Sequence, residues 1–373
     1  MLRMKQRNRM LGRRWVAYHF PLLRFLAKER DQETMPLEPS EVVLLDCTLP
    51  RVPVVGLVQD LPAHNKKVYW TKYARFFTNN QIPYRIVSVQ DSDWLDQVGD
   101  LDMLIWRPLS RPAQLAEAKN KLYALESYLD VFTVPSYRDI WMYEDKLNQY
   151  YALKMLGLPV VDTFVSHSLK ETLSYLEQAV YPLVWKISSG SGSLGVSLML
   201  NRRKALRAAK KVFSPAGRWT YWGYERQKDY VYLQRFIPGG VQDVRVIVAE
   251  DRFLGLMRSP DQGDFRASGS GNIHKEALPV EAMLLAREVR LRLKTDYVVV
   301  DMLYSMDSKR YEIIEVSLFT SAFSQEQLMV DGVAGYYRYQ EGAFVFVPGR
   351  VWVQELMLLS AMRRWAERKE ISL

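Results

Sequence analysis

The sequence predicts a mixed α/β protein, and three observations predict it. Between about residues 41 and 140, short runs of β-branched and aromatic residues alternate with amphipathic stretches, the pattern of a mainly parallel sheet with helices over it. From Val160 to Ile237, strand-like runs mix with shorter helices. In the last third, two strand-like runs, Tyr297 to Tyr304 and Tyr311 to Val316, flank a polar stretch and place an acid at a matching point on each side, Asp301 and Glu315.

The elements follow in order. A polar, Pro-containing break at Asp31 to Ser40 separates a basic leader (1–40) from an α/β domain (41–140). That domain opens on a strand at Val42 to Asp46 and continues through a helix around Trp70 to Thr78 and strands at Tyr84 to Val89 and Met103 to Trp106. An amphipathic helix from Ala113 to Leu129 completes it. A single helix from Trp141 to Leu156 is expected next, ended by Gly157 with Pro159 just beyond. Strands at Leu183 to Lys186 and Tyr230 to Leu233 belong to a third segment, 141–237. The fourth, 238–373, holds a strand at Val244 to Val248, a helix at Pro279 to Leu293, the acidic hairpin and a closing helix from Val351 to Lys369. No internal repeat is visible.

Composition narrows the function classes. The 373 residues suffice for two or three domains, and 48% hydrophobic with 25% charged content is that of a globular protein. One cysteine, Cys47, excludes an internal disulfide framework and a multi-thiolate zinc site. No run approaches the roughly 18 apolar residues of a membrane span, and no signal-peptide pattern opens the chain, so a cytoplasmic location is expected. Of the formal net charge of +9, residues 1–30 carry nine basic residues against Glu29 alone. The remainder is nearly neutral as a whole, which argues against a nucleic-acid binder. The leader interleaves its charges with Trp15, Tyr18, Phe20, Leu22 and Phe25, a composition open to an anionic membrane, RNA, a protein partner, an oligomer contact or an inert solvated segment.

Four motifs bear on chemistry. If the hairpin loop has an odd length, Asp301 falls directly opposite Glu315, and such like charges persist when a proton or cation sits between them; hard oxygen ligands then suggest magnesium. A solvated hairpin with two aligned acids is the alternative. Strand-like Pro182 to Lys186 runs into Ile187-Ser188-Ser189-Gly190-Ser191-Gly192-Ser193-Leu194-Gly195, whose small residues let backbone N–H groups approach a phosphate. It matches neither the P-loop nor the dinucleotide fingerprint, and a flexible connection has the same composition. Leu233-Gln234-Arg235-Phe236-Ile237-Pro238 joins two strands, with backbone for an adenine edge and apolar walls beside it, or it is a plain hinge. Arg258 and the stretch Asp264-Phe265-Arg266-Ala267-Ser268 supply guanidinium groups suited to a phosphoryl group or a carboxylate, or they are isolated arginines that serve surface solubility.

In this order and spacing the pieces resemble the ATP-grasp superfamily, in the branch of bacterial glutathione synthetase and the ribosomal-protein glutamate ligases. The resemblance covers Tyr143 to Ser317 and rests on Glu144-Asp145-Lys146, Gly157-Leu158-Pro159, the Lys186 strand with its glycine loop, Gln234 to Ile237, Asp243-Val244-Arg245-Val246, Asp264-Phe265-Arg266, Asp301 and Glu315-Val316-Ser317. It implies two α+β subdomains gripping ATP behind a small Rossmann-like domain. It further implies that Lys146 and Lys186 contact ATP, that Ser189, Gly190, Ser191, Gly192 and Ser193 close over the triphosphate, and that Gln234, Phe236, Ile237 and Asp243 line the nucleotide. Arg258 and Arg266 would face the reacting groups, and Asp301, Glu315 and Ser317 would hold one or two magnesium ions. The implied reaction joins a small-molecule, peptide or sugar-linked acid to an amine through an acyl phosphate, in a homo-oligomer. Three positions depart from the family's pattern: Ser317 and Ser268 stand where asparagine is usual, and Arg235 where glutamate is. They keep open a catalytically reduced nucleotide-binding or scaffold protein recruited by the basic leader.

Overall fold

A computed structural model describes residues 40–59, 70–190, 195–238, 242–267, 270, 272–318 and 328–371. The chain divides into two compact units, each assembled from separated stretches. One contains Glu144–Gln242 and Ser259–Asn272; the other contains the described part of Gln32–Tyr143, with Asp243–Arg258 and Ile273–Leu373.

The second unit begins with β1 (Val55–Val58), α1 (Trp70–Asn79), β2 (Tyr84–Val87), α2 (Trp94–Val98), β3 (Met103–Ile105), α3 (Pro112–Tyr128), β4 (Phe132–Val134) and α4 (Tyr137–Met142). The four strands form one all-parallel sheet in the order β2-β1-β3-β4. β1 and β3 are buried at every position, as expected of central parallel strands covered on both faces. α3 starts with Pro112, whose missing N–H costs nothing there, and buries Leu115, Ala118, Leu122 and Leu125 at helical spacing.

The first expected strand, Val42 to Asp46, is absent. Its backbone is satisfied by side chains instead of a ladder: the Val43 N–H donates to Glu355 and the Leu45 N–H to Asn80 Oδ1. Val42 and Leu44 face solvent. The single helix expected over Trp141 to Leu156 is two helices. α4 is N-capped by Ser136 in a capping box with Asp139. Glu144 then takes a left-handed backbone, φ +55°, and Asp145 caps a new helix by accepting from the Asn148 N–H.

The first unit contains α5 (Lys146–Met155), β5 (Thr163–Ser166), α6 (Leu169–Gln178), β6 (Leu183–Trp185), β7 (Ser197–Met199), α7 (Arg202–Val212), β8 (Arg218–Trp219), β9 (Arg226–Gln227) and β10 (Val231–Arg235). Its main sheet is antiparallel, in the order β5-β10-β6-β7. Leu176, Leu183, Trp185, Met199, Ala205, Ala209, Val212, Val231 and Leu233 make its core. The indole N–H of Trp185 is satisfied by Gln227 at 2.9 Å.

The remainder of the second unit is β11 (Asp243–Ala249), β12 (Arg252–Arg258), β13 (Ile273–His274), α8 (Val280–Leu293), β14 (Tyr297–Ser305), β15 (Arg310–Ser317), β16 (Leu328–Val330), β17 (Val333–Gln340), β18 (Ala343–Pro348) and α9 (Val353–Ile371). Six strands run β15-β14-β11-β12-β17-β16, with β13 beside β12 and β18 beside β17. α8 packs on β11 and β14 through Ala282, Met283, Ala286, Val289 and Leu293.

Within this unit Asp139 is buried, bonded by Ser136 and Thr295, with Asp296 and Arg364 nearby. Burial pushes its carboxyl up to about 6. The folded chain therefore holds an extra proton between about pH 4 and 6, and its stability falls as pH rises through that window. The Asp139 contribution lost by pH 7 is about 3 kcal/mol. Asp139→Asn should flatten that part of the profile, checked by urea midpoints of both proteins from pH 4 to 7.

Candidate functional site

Lys146 opens α5, and its Nζ donates to the Gly190 carbonyl at 2.6 Å with only 4% of the residue exposed. The same α5 start is pinned to the glycine-rich segment by three further bonds. The Lys146 N–H donates to the Ser188 carbonyl, Ser188 Oγ donates to Asp145, and the Leu147 N–H donates to Ser188 Oγ. From the other side, the Ser188 N–H donates to the Tyr230 hydroxyl, and Ser189 Oγ donates to Glu225 at 2.5 Å. Burial raises the Glu225 carboxyl, and the Ser189 bond partly offsets this.

Gly190 has φ +135° and Gly195 φ +76°; a Cβ on Gly195 would lie 2.3 Å from the Ile187 side chain. Glycine is thus demanded at both ends of the segment by backbone shape and crowding. Ser191, Gly192 and Ser193 lie outside the described residues, as do residues 1–39 of the basic leader and Ser268.

Lys186 follows β6 directly, is as buried as Lys146, and holds its Nζ 5.9 Å from the Tyr232 ring centre. On β10, Gln234 donates to the Thr163 hydroxyl at 3.3 Å, and Phe236 meets Phe265 edge to face with ring centres 6.1 Å apart. Ile237 is half-buried beside it. Arg266 forms a two-bond clamp with Asp264, at 3.0 and 2.9 Å. These residues all belong to the first unit.

The second unit carries the acids. Asp301 on β14 lies directly opposite Glu315 on β15 and, on its other side, opposite Arg245 on β11. The hairpin turn is Met306 to Lys309, because Ser305 pairs with Arg310. Its length is four, not the odd number expected, and a plain ladder of that parity would turn the acids to opposite faces. A β-bulge corrects it: Met302 pairs with Ile313 and Asp301 with Glu315, so Ile314 is the extra residue that brings the acids together.

The counter-charge for Asp301 comes from two arginines. Arg245 Nε and Nη2 donate to its two oxygens at 2.8 Å each, and Arg258 Nη2 lies 3.1 Å from Oδ1. Arg258 also donates to Asp243 at 2.5 Å. Burial alone would push Asp301 up, but the adjacent guanidinium charges and their bonds hold it well below the usual carboxylate range. Burial and the Asp301 charge push Asp243 up instead. The expected cation between the acids is therefore not needed to explain why Asp301 is tolerated. Arg245 was missed as a site residue, although its spacing of two from Asp243 on a strand already placed both on one face.

The donor set still fits magnesium. Among the described residues no group of three or more His, Cys, Asp or Glu side chains surrounds a common point. Magnesium is usually held by one or two carboxylates, with substrate phosphates and water filling the remaining positions. Asp301 and Glu315 meet that requirement, with Ser317 two residues along the Glu315 strand.

Residues 143–326 match the family described as the RimK-like ATP-grasp domain. No curated protein sequence matches the chain. Among solved structures, the D-alanine–D-alanine ligase of Bacillus anthracis is similar at 14% identity and TM-score 0.53, covering 85% of this chain and 99% of that one. The same enzyme complexed with ATP gives 0.51 at the same identity and coverage. D-alanyl-alanine synthetase A of Vibrio cholerae O1 biovar eltor gives 0.51 at 10% identity, covering 72% of this chain and 90% of that one. The fold is the ATP-grasp fold. Within it, residues 143–326 are the stretch that is similar to the RimK-like family.

Asp301→Asn removes the charge that buried Arg258 and half-buried Arg245 share, so it should lower stability by about 3 kcal/mol. Glu315→Gln, at a half-buried position, should cost under about 1 kcal/mol. Guanidinium unfolding midpoints of the two variants check this contrast.

Proposed function

We propose that the protein is an ATP-dependent carboxylate–amine ligase. One observation carries the reading: within a RimK-like domain, a bulge brings two acidic residues opposite one another on adjacent strands, and one or two carboxylates are what magnesium commonly takes from a protein when substrate phosphates fill its other positions. In this reading a substrate carboxylate oxygen attacks the terminal phosphorus of ATP and ADP leaves. The amine then attacks the acyl carbon, inorganic phosphate leaves, the amine loses a proton, and a C–N bond remains.

The chain's own part is positioning and charge compensation, with no side-chain nucleophile. Lys146 and Lys186 offset phosphate charge, and Gly190 with its serine neighbours offers backbone N–H groups to the phosphates. The Phe236–Ile237 backbone and Gln234 take the adenine edge. Magnesium, when bound, supplies Lewis-acid stabilisation of phosphoryl oxygens, and Asp301, Glu315 and Ser317 would hold it. Arg258 and Arg266 meet the acid or the transferred phosphoryl group. Asp243 would then serve the nucleotide side indirectly, by fixing the Arg258 guanidinium.

A second reading, nucleotide binding without turnover, is favoured by the arginine grip on Asp301 and by Ser317 in place of an amide. Calorimetry with Mg-ATP and ADP-release assays over a panel of amino acids, dipeptides and sugar acids separate the two. The ligase reading predicts acid- and amine-dependent ADP release that falls at least about 100-fold in Glu315→Gln and Lys186→Ala. Saturable Mg-ATP binding with no release under any pairing would establish the second reading.

A further inference from the structure

Residues 178–224 contain no Asp or Glu, yet they hold eight Lys or Arg. Six of these fall within α7: Arg202, Arg203, Lys204, Arg207, Lys210 and Lys211. All six are exposed, while Ala205, Ala209 and Val212 on the opposite side enter the core of the first unit. The near-neutral total outside the leader thus conceals a strongly basic face.

Two of the six are engaged: Arg202 pairs with Glu177 at 2.5 Å, and Lys204 Nζ donates to the Leu198 carbonyl. Arg203, Arg207, Lys210 and Lys211 form a row at helical spacing and have no ion-pair partner among the described residues. Placement of Lys210 and Lys211 in the last turn suits the helix dipole, but Arg203 in the first turn opposes it. Helix stability alone therefore does not account for the row.

Large apolar side chains stand exposed at both ends of this helix. Leu200, two residues before it, is 61% exposed, and Trp219, on the strand after it, is 52% exposed with the Arg226 guanidinium 3.0 Å from its ring centre. A peptide of acidic residues alone or a phosphate backbone would answer the basic row but leaves the exposed leucine in water. A bilayer surface answers both, since anionic headgroups meet the Lys and Arg row while leucine and tryptophan reach the acyl boundary. We infer that the α7 face, flanked by Leu200 and Trp219, is a peripheral docking surface for an anionic lipid bilayer.

The test uses the full chain and vesicles of phosphatidylcholine with or without 30% phosphatidylglycerol, read by co-sedimentation at about 0.1 M salt, where exposed charges still act over roughly 10 Å. Wild type should bind only the anionic vesicles. A variant with R203E, R207E, K210E and K211E should bind at least tenfold less, with its circular dichroism unchanged because all four side chains are exposed. The leader is present in both proteins, so the difference isolates α7. Leu200→Ser with Trp219→Ser should weaken the binding that survives 0.5 M salt. No sedimentation of wild type, or reversal of the four charges without effect, would overturn the inference. Tight binding of poly(U) without vesicle binding would replace it with a nucleic-acid surface.

Discussion

Two guanidinium groups, from Arg245 and Arg258, set the state of Asp301, and the chemistry proposed for the second unit rests on that state. A carboxylate buried to this extent without compensation would take up a proton and lose its use as a hard ligand. With the arginines of β11 and β12 against it, Asp301 stays ionised at any physiological pH. The arrangement depends on strand order: β14 lies between β11 and β15, so one residue meets Arg245 on one side and Glu315 on the other. Asp243 extends the same logic by holding Arg258, so acid and guanidinium alternate along the chain of contacts Asp243, Arg258, Asp301, Arg245.

The first unit solves a different problem with the same economy of parts. A serine- and glycine-rich segment is entropically costly to order. Here its first residues are held by α5 on one side and by Tyr230 and Glu225 on the other. The left-handed turn at Glu144 and the new helix cap at Asp145 make this possible, because they aim the start of α5, with Lys146, at the carbonyls of Ser188 and Gly190. An uninterrupted helix through this region could not present a free first turn there.

The α/β class, the parallel sheet of the early region and the RimK-like stretch were legible in sequence because each rests on repetition: alternating strands and helices, or several short motifs in fixed order. The pairing of Asp301 with Glu315 was legible as well, but by the wrong route. A turn of four residues and a bulge at Ile314 leave the same acids opposed as an odd turn would, and Ile314 is an ordinary strand former that gives no local sign of being unpaired. The strand expected at Val42 to Asp46 failed for the complementary reason, since β-branched composition describes an extended backbone equally well when Asn80 and Glu355 satisfy it. Arg245 was overlooked because a strand residue gains meaning only from its neighbours across the sheet.

The bulge at Ile314 separates the hairpin into two parts with different obligations. Beyond it, toward Ser317, the register sets Glu315 opposite Asp301; before it, toward Arg310, the ladder carries buried Ile313 and Glu312 and leads into the turn. One amino acid could therefore migrate from the irregular position into the reversal without moving either carboxylate. Chains with a longer reversal and an unbroken ladder would be the same device with its spare link stored at the other end.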